Sequence, residues 1–210
     1  MTAGDLFAPI ADHDVAGVVA ALASGADPNG LQDRAPRWRP LHAALEELED
    51  GGSIDVIVLL LRHGADVDGW DGDRDATPLL MAFFREQWAA VRLLAAAGAS
   101  MDTVGSEGDT PLLCAVETGD PELIQLVLLC GPGGTLERPR GLDGVNPLGL
   151  AVRRHDVAAV RALLAAGANP NTPDADYRRA LERLPERTDE NAAAADEITA
   201  LLRAIRAQPS

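Results

Sequence analysis

The stretch Thr110-Pro111-Leu112-Leu113-Cys114-Ala115-Val116-Glu117-Thr118-Gly119-Asp120-Pro121-Glu122-Leu123-Ile124-Gln125-Leu126-Val127-Leu128-Leu129-Cys130-Gly131 reads as two short helices joined by a tight turn. Thr110 can cap the free N–H groups of a first turn, and Pro111 at the first helical position gives up only an N–H that had no partner. Leu112, Leu113, Ala115 and Val116 then form an apolar stripe. Gly119 accepts left-handed geometry, Asp120 caps the next helix and Pro121 opens it. Leu123, Ile124, Leu126, Val127 and Leu128 supply the buried side of the second helix, which Gly131 closes.

The same pattern recurs along the chain. Further openings stand at Arg39-Pro40-Leu41-His42, Thr77-Pro78-Leu79-Leu80 and Asn146-Pro147-Leu148-Gly149, and further closings at Gly64-Ala65-Asp66, Gly98-Ala99-Ser100 and Gly167-Ala168-Asn169. The period is near 33 residues, and Pro and Gly lie 20 residues apart in three of the four copies. A repeat of that length with a Thr-Pro-Leu-His type opening resembles the ankyrin repeat. The resemblance implies an all-α repeat solenoid of paired helices with β-hairpin fingers. Five copies are expected, at about 5–38, 39–75, 76–109, 110–145 and 146–176. Capping helices or a degenerate sixth repeat would fill 177–210, reading as Tyr177 to Leu184 and Ala192 to Arg206. The first copy is degenerate and reads as an N-terminal cap with helices over Leu6–Asp12 and Val15–Ala23.

Two copies carry extra length. The second has 24 residues from Pro40 to Gly64, and Glu46 to Gly52 reads as a lengthened, acidic first helix. The fourth runs through Gly131-Pro132-Gly133-Gly134 and Arg138-Pro139-Arg140, a longer and locally basic finger. Such insertions map to loops on one face, as ornament or as part of a binding surface.

Composition narrows the chemistry. All 18 basic residues are Arg, against 33 acids, for a net charge of −15. Without Lys there is no lysine Schiff base, no P-loop lysine and no Ser-Lys dyad. A strongly acidic chain repels phosphate backbones, so the expected partner is another protein, with a basic surface as the natural complement, and not nucleic acid. Acidity that serves solubility alone is the competing reading. No stretch has the length of a membrane span, and the N-terminus lacks a basic start followed by an apolar run, so a soluble, cytoplasmic protein is expected; the sequence leaves the oligomeric state open, with a monomer favoured.

Few residues suggest catalysis or metal binding. His42 takes the His place of the signature, a structural position in the resembling family, and His13, His63 and His155 fall in separate places. Cys114 and Cys130 read as reduced core thiols, with a disulfide or metal pair the alternative. Asp71, Asp73 and Asp75 mimic the start of a calcium loop, but Ala76 stands where Gly is required and Ala82 where the bidentate Glu belongs. No cofactor and no metal are expected.

What remains is surface. In proteins of the resembling family, partners are gripped by finger residues before each Pro-Leu and by the first helix six and seven residues after the Pro. Those offsets select Trp38, Glu46, Glu47, Asp73, Arg74, Ala76, Phe84, Arg85, Ser106, Glu107, Asp109, Glu117, Thr118, Leu142, Asp143, Val145, Arg153 and Arg154, and Trp70 adds a third large apolar anchor. Phe84 reads equally as partly buried against Phe83 and Trp88, and Trp88 as core. Function is therefore expected to be non-enzymatic protein binding by an acidic concave groove. An immunity or antitoxin-like inhibitor of a basic enzyme, a metal-dependent enzyme using Asp71 to Asp75, and a purely structural unit are the alternatives.

Overall fold

The structure, a computed structural model, describes residues 5–141 and 143–206, so Leu142 lies outside the described residues. The chain forms two compact units, one ending at Ser100 and one beginning at Met101. The N-terminal unit contains α1 (Phe7–Ala11), α2 (Val15–Ala23), α3 (Pro40–Glu47), α4 (Ile54–Arg62), α5 (Pro78–Phe84) and α6 (Trp88–Ala96). The C-terminal unit contains α7 (Pro111–Thr118), α8 (Pro121–Cys130), α9 (Pro147–Arg153), α10 (Val157–Ala165) and α11 (Ala192–Arg206). Both are all-α repeat stacks of paired helices.

Local chemistry sets the helix starts. The Thr77 and Thr110 hydroxyls accept from the N–H groups of Leu80 and Leu113, and Asn146 Oδ1 accepts from Gly149 N–H at 2.8 Å. Asp14 and Asp156 do the same for α2 and α10, each at 2.9 Å. Such a cap contributes about 1 kcal/mol. α3 lacks one because Arg39 stands where Thr or Asn stands elsewhere. The Arg39 guanidinium instead donates to the carbonyls of Asn29 and Trp70, tying two fingers to the start of α3.

Packing completes what propensity begins, since α1 to α10, at 5 to 10 residues each, are too short to persist alone. Within the N-terminal unit α1 packs on α3, α3 on α5 and α2 on α4; within the C-terminal unit α7 packs on α9, α8 on α10, and α10 on α11. Leu45, Ile57, Leu60, Leu80 and Leu94 are completely buried in the first unit, as are Leu112, Leu113, Val127, Val160 and Leu163 in the second.

Side chains also staple each copy to the next. Asn29 Oδ1 accepts from Asp66 N–H at 2.7 Å, Asp68 Oδ1 from Ser100 N–H at 2.8 Å, and Glu137 Oε1 from Asn169 N–H at 2.6 Å. The donating N–H is in each case that of the residue following a Gly-Ala pair.

Four sequence expectations are corrected. The fingers are not β-hairpins: among the described residues no strand forms. Each finger is closed by a backbone bond, as from Asp71 N–H to Ala76 C=O at 3.2 Å or Arg140 N–H to Val145 C=O at 3.0 Å, and the backbone beside these bonds does not continue as paired strands. Second, α3 is not lengthened. It ends at Glu47, and Leu48 to Asp50 continue as i→i+3 turns from Leu45, Glu46 and Glu47. Third, Tyr177–Leu184 makes only a 3₁₀ turn at Ala180–Arg183. Fourth, Cys130 is exposed at the end of α8, while Cys114 is buried with its thiol pKa pushed up to about 12, chiefly by burial.

Candidate functional site

Finger residues and the ends of the first helices form the candidate surface, and each unit builds it differently. In the N-terminal unit the first finger closes with a bond from Gln32 N–H to Trp38 C=O, and the second docks on it through Gly72 N–H to Arg37 C=O at 2.7 Å. A Cβ at Gly72 would lie 2.4 Å from the Arg37 Cβ, so only glycine permits that approach. The docked fingers hold Trp38 half-buried between two hollows. One, of about 270 Å³, is lined by Phe7, Ile10 and Glu47; the other, of about 430 Å³, by Met81, Phe84, Asp71 and Glu49.

Phe84 is 53% exposed at the end of α5, so the reading that buries it against Phe83 and Trp88 fails. Phe83 and Trp88 make their own edge-on contact, with ring centres 6.3 Å apart, and Trp88 is half-buried instead of core. Arg85, the next residue, pairs with Glu46 and, at 3.0 Å, with Glu49. Glu47 is engaged by His13 Nε2 at 2.9 Å. Asp73 and Arg74 are exposed at the finger tip, Arg74 with φ +62°, and Asp71 Oδ1 accepts from Asp75 N–H at 2.9 Å to shape the turn. Trp70 is half-buried and does not line the larger hollow; its carbonyl receives Arg39 Nε at 2.7 Å.

In the C-terminal unit the equivalent surface is laced by ion pairs. Arg140 reaches Asp109 through Nε at 2.9 Å and grips Glu117 with both terminal nitrogens, at 3.2 and 2.7 Å. Its side chain is only 12% exposed. The hydrogen bonds from Arg140 hold the Glu117 carboxyl below its ordinary pKa. Arg153 donates to Asp143 Oδ2 at 2.8 Å; burial works against ionising Asp143, but this bond and one from Val145 N–H keep its pKa lowered. Arg154 and Glu107 are exposed. The basic finger expected at Arg138-Pro139-Arg140 is thus half neutralised, since Arg140 is spent on carboxylates. The sequence reading passed over Arg140 as a site residue, and the signal available was its place beside Pro139 in the one elongated finger.

The geometry places aromatic and charged groups on display without converging them on a reacting atom. Among the described residues no group of three or more His, Cys, Asp or Glu is arranged to hold a metal ion, and no helix is long and apolar enough to cross a membrane.

Family profiles for ankyrin repeats match the chain over residues 37–71 (Ankyrin repeat) and 86–174 (Ankyrin repeats, 3 copies). An ankyrin repeat protein of rabbit fibroma virus is 29% identical over 131 residues, covering 60% of this chain and 27% of its own. This chain covers about a quarter to a third of the length of three such curated relatives, 26–30%. An ankyrin repeat domain from Acinetobacter baumannii superposes with a TM-score of 0.77 at 23% identity over 97% of this chain and 98% of that one. A chain in the structure of a predatory endopeptidase from Bdellovibrio bacteriovorus in complex with an immunity protein gives 0.68 at 20% identity, covering 95% and 98%. The recurring Pro-Leu openings, the helix pairs they start and the family profiles that cover more than half of the residues agree: the chain belongs to the ankyrin repeat family.

Proposed function

We propose that this protein is a non-catalytic module that binds another protein through the finger and first-helix surface of its repeats. Ankyrin repeat domains are typically protein-binding and generally non-catalytic modules. The observation that carries the reading here is Phe84, a large aromatic left 53% exposed beside half-buried Trp38 over one hollow. Exposed aromatics rimmed by charge are the usual composition of binding hot spots. The acidic balance favours a partner with a basic surface and disfavours nucleic acid. Affinity capture from the native host tests this. Phe84→Ala is expected to lose the captured partner while the melting temperature stays within a degree or two; retention of the same partner would refute it.

A second reading has its own support. Likeness to a chain from an endopeptidase–immunity protein complex, with the net charge of −15, favours an immunity or antitoxin-like inhibitor of a basic enzyme. Rapid, salt-sensitive association with such an enzyme and loss of its activity are expected, and a flat salt response would speak against steering by charge. The metal-dependent alternative has less behind it, because among the described residues Asp71, Asp73 and Asp75 do not form a group that could hold a metal ion.

A further inference from the structure

We propose that the larger hollow of the N-terminal unit is a slot for a single arginine side chain of the protein partner. The proposal rests on the protein-binding reading and specifies what that surface grips. The slot is lined by Trp38, Phe84, Met81 and Ala76, by the acids Asp71 and Glu49, and by Arg85. The aromatic and thioether groups suit a flat or alkyl group, and the Asp71 carboxylate, which no arginine among the described residues pairs with, favours a cation. A guanidinium meets both conditions, since it stacks on aromatic faces, is weakly hydrated and presents a planar fork to carboxylates, whereas an ammonium is a compact and strongly hydrated charge. At about 430 Å³ the space has room for one long side chain.

The protein itself supplies a precedent. Arg85, on the edge of the same hollow, is held between Glu46 and Glu49, so a guanidinium is already stable among these acids. Its two contacts lie to the side of α3 and do not involve Asp71. On the finger side, Asp71 uses Oδ1 for the Asp75 N–H, and the neighbouring Asp73 and Asp75 are exposed. An incoming arginine would therefore meet Asp71, the lining carboxylate that Arg85 does not pair with.

The test uses the full chain and the blocked tripeptide acetyl-Leu-Arg-Leu-amide, with its citrulline and lysine counterparts, read by NMR at the Trp38 indole N–H. The arginine peptide is expected to move that signal to saturation, with the lysine peptide several-fold weaker and the citrulline peptide without effect. Asp71→Asn is expected to weaken the arginine peptide at least about fivefold. The asparagine oxygen still accepts from Asp75 N–H, so the finger keeps its turn, and an unchanged amide spectrum elsewhere verifies this. Equal binding of the citrulline peptide, or an unmoved Trp38 signal, overturns the slot. The two levels of inference separate in the capture experiment. A partner that needs Phe84 but ignores Asp71→Asn overturns the slot alone, and absence of any Phe84-dependent partner overturns the reading beneath it.

Discussion

The two units handle the same kinds of residue in opposite ways. Six residues after the opening proline, α5 places Phe84 and α7 places Glu117. In the N-terminal unit the arginine that follows, Arg85, turns toward Glu46 and Glu49 and leaves the aromatic exposed. In the C-terminal unit Glu117 draws Arg140 down from the finger, where Asp109 also meets it, and the surface closes into a charge lattice. The first unit is the more acidic, with sixteen acids to seven arginines against seventeen to eleven. One position in the repeat thus decides whether an acid-rich face is left open for a partner or consumed by its own cations.

The largest consequence concerns stability. Arg140→Met keeps the packing of the stem but leaves Asp109, a largely enclosed acceptor, and Glu117 without their cation, and is expected to cost about 1–3 kcal/mol in chemical denaturation. Arg85→Met removes pairs whose partner Glu49 is half exposed, and should cost less than about 1 kcal/mol. Equal losses from both would erase the distinction between a closed and an open face. The three tryptophans all lie in the N-terminal unit, so their fluorescence reports that unit while far-ultraviolet dichroism reports the whole chain.

A swap at the deciding position sharpens the contrast. Phe84→Ala is expected to weaken partner binding by more than about 1 kcal/mol, with stability changed by less than about 0.5 kcal/mol. Glu117→Phe should free one side of Arg140 and create an exposed aromatic on the C-terminal unit, detectable as new dye binding or self-association by light scattering. If Glu117→Phe leaves both unchanged, the rest of that surface, and not the residue six after the proline, keeps it closed.

The helix starts were legible because their causes are local. Thr110 and Asn146 cap turns three residues away, and a proline at the first helical position needs nothing distant to be satisfied. The candidate surface was legible only in outline. Trp38 and Phe84 were found by repeat offset, yet whether Phe84 is covered depends on where Phe83 and Trp88 turn. Arg140 finds Glu117 across 23 residues, and the Asp68 and Glu137 staples act across 32, distances at which no local pattern specifies a partner. Cys130 was misplaced for a related reason. The last turn of α8 runs Leu128-Leu129-Cys130, apolar on every side, so periodicity does not say which face meets water, and Leu129 and Cys130 do.

The smallest effect is the response to acid, which should also divide the units. His42 is completely buried, with Nε2 donating to the Ala76 carbonyl at 3.2 Å and Nδ1 without a partner. Burial holds its pKa below the usual 6.5, with Arg39 adding slightly and the Ala76 carbonyl and Asp71 opposing. The unfolded imidazole then binds a proton before the folded one does, so stability present above about pH 6.5 is lost as the pH falls toward the lowered folded value. In the C-terminal unit the groups concerned are carboxylates. Hydrogen bonds from Arg140 lower Glu117; burial opposes the lowering of Asp174, but Arg183, at 2.6 Å, and two backbone N–H groups prevail. Their contribution is complete above about pH 5 and is lost as the pH falls below the ordinary Glu and Asp values toward the lowered folded ones. Hydrogen exchange at pH 7, 5 and 3.5 should therefore show the His42 region softening first and the Arg140 and Arg183 regions last. His42→Leu, which installs the residue found at Leu80 and Leu113, trades one hydrogen bond against an unpaired nitrogen and should shift neutral-pH stability by less than about 1 kcal/mol while removing most of the loss between pH 7 and 5. An undiminished loss in that variant would place the acid sensitivity of the N-terminal unit outside His42.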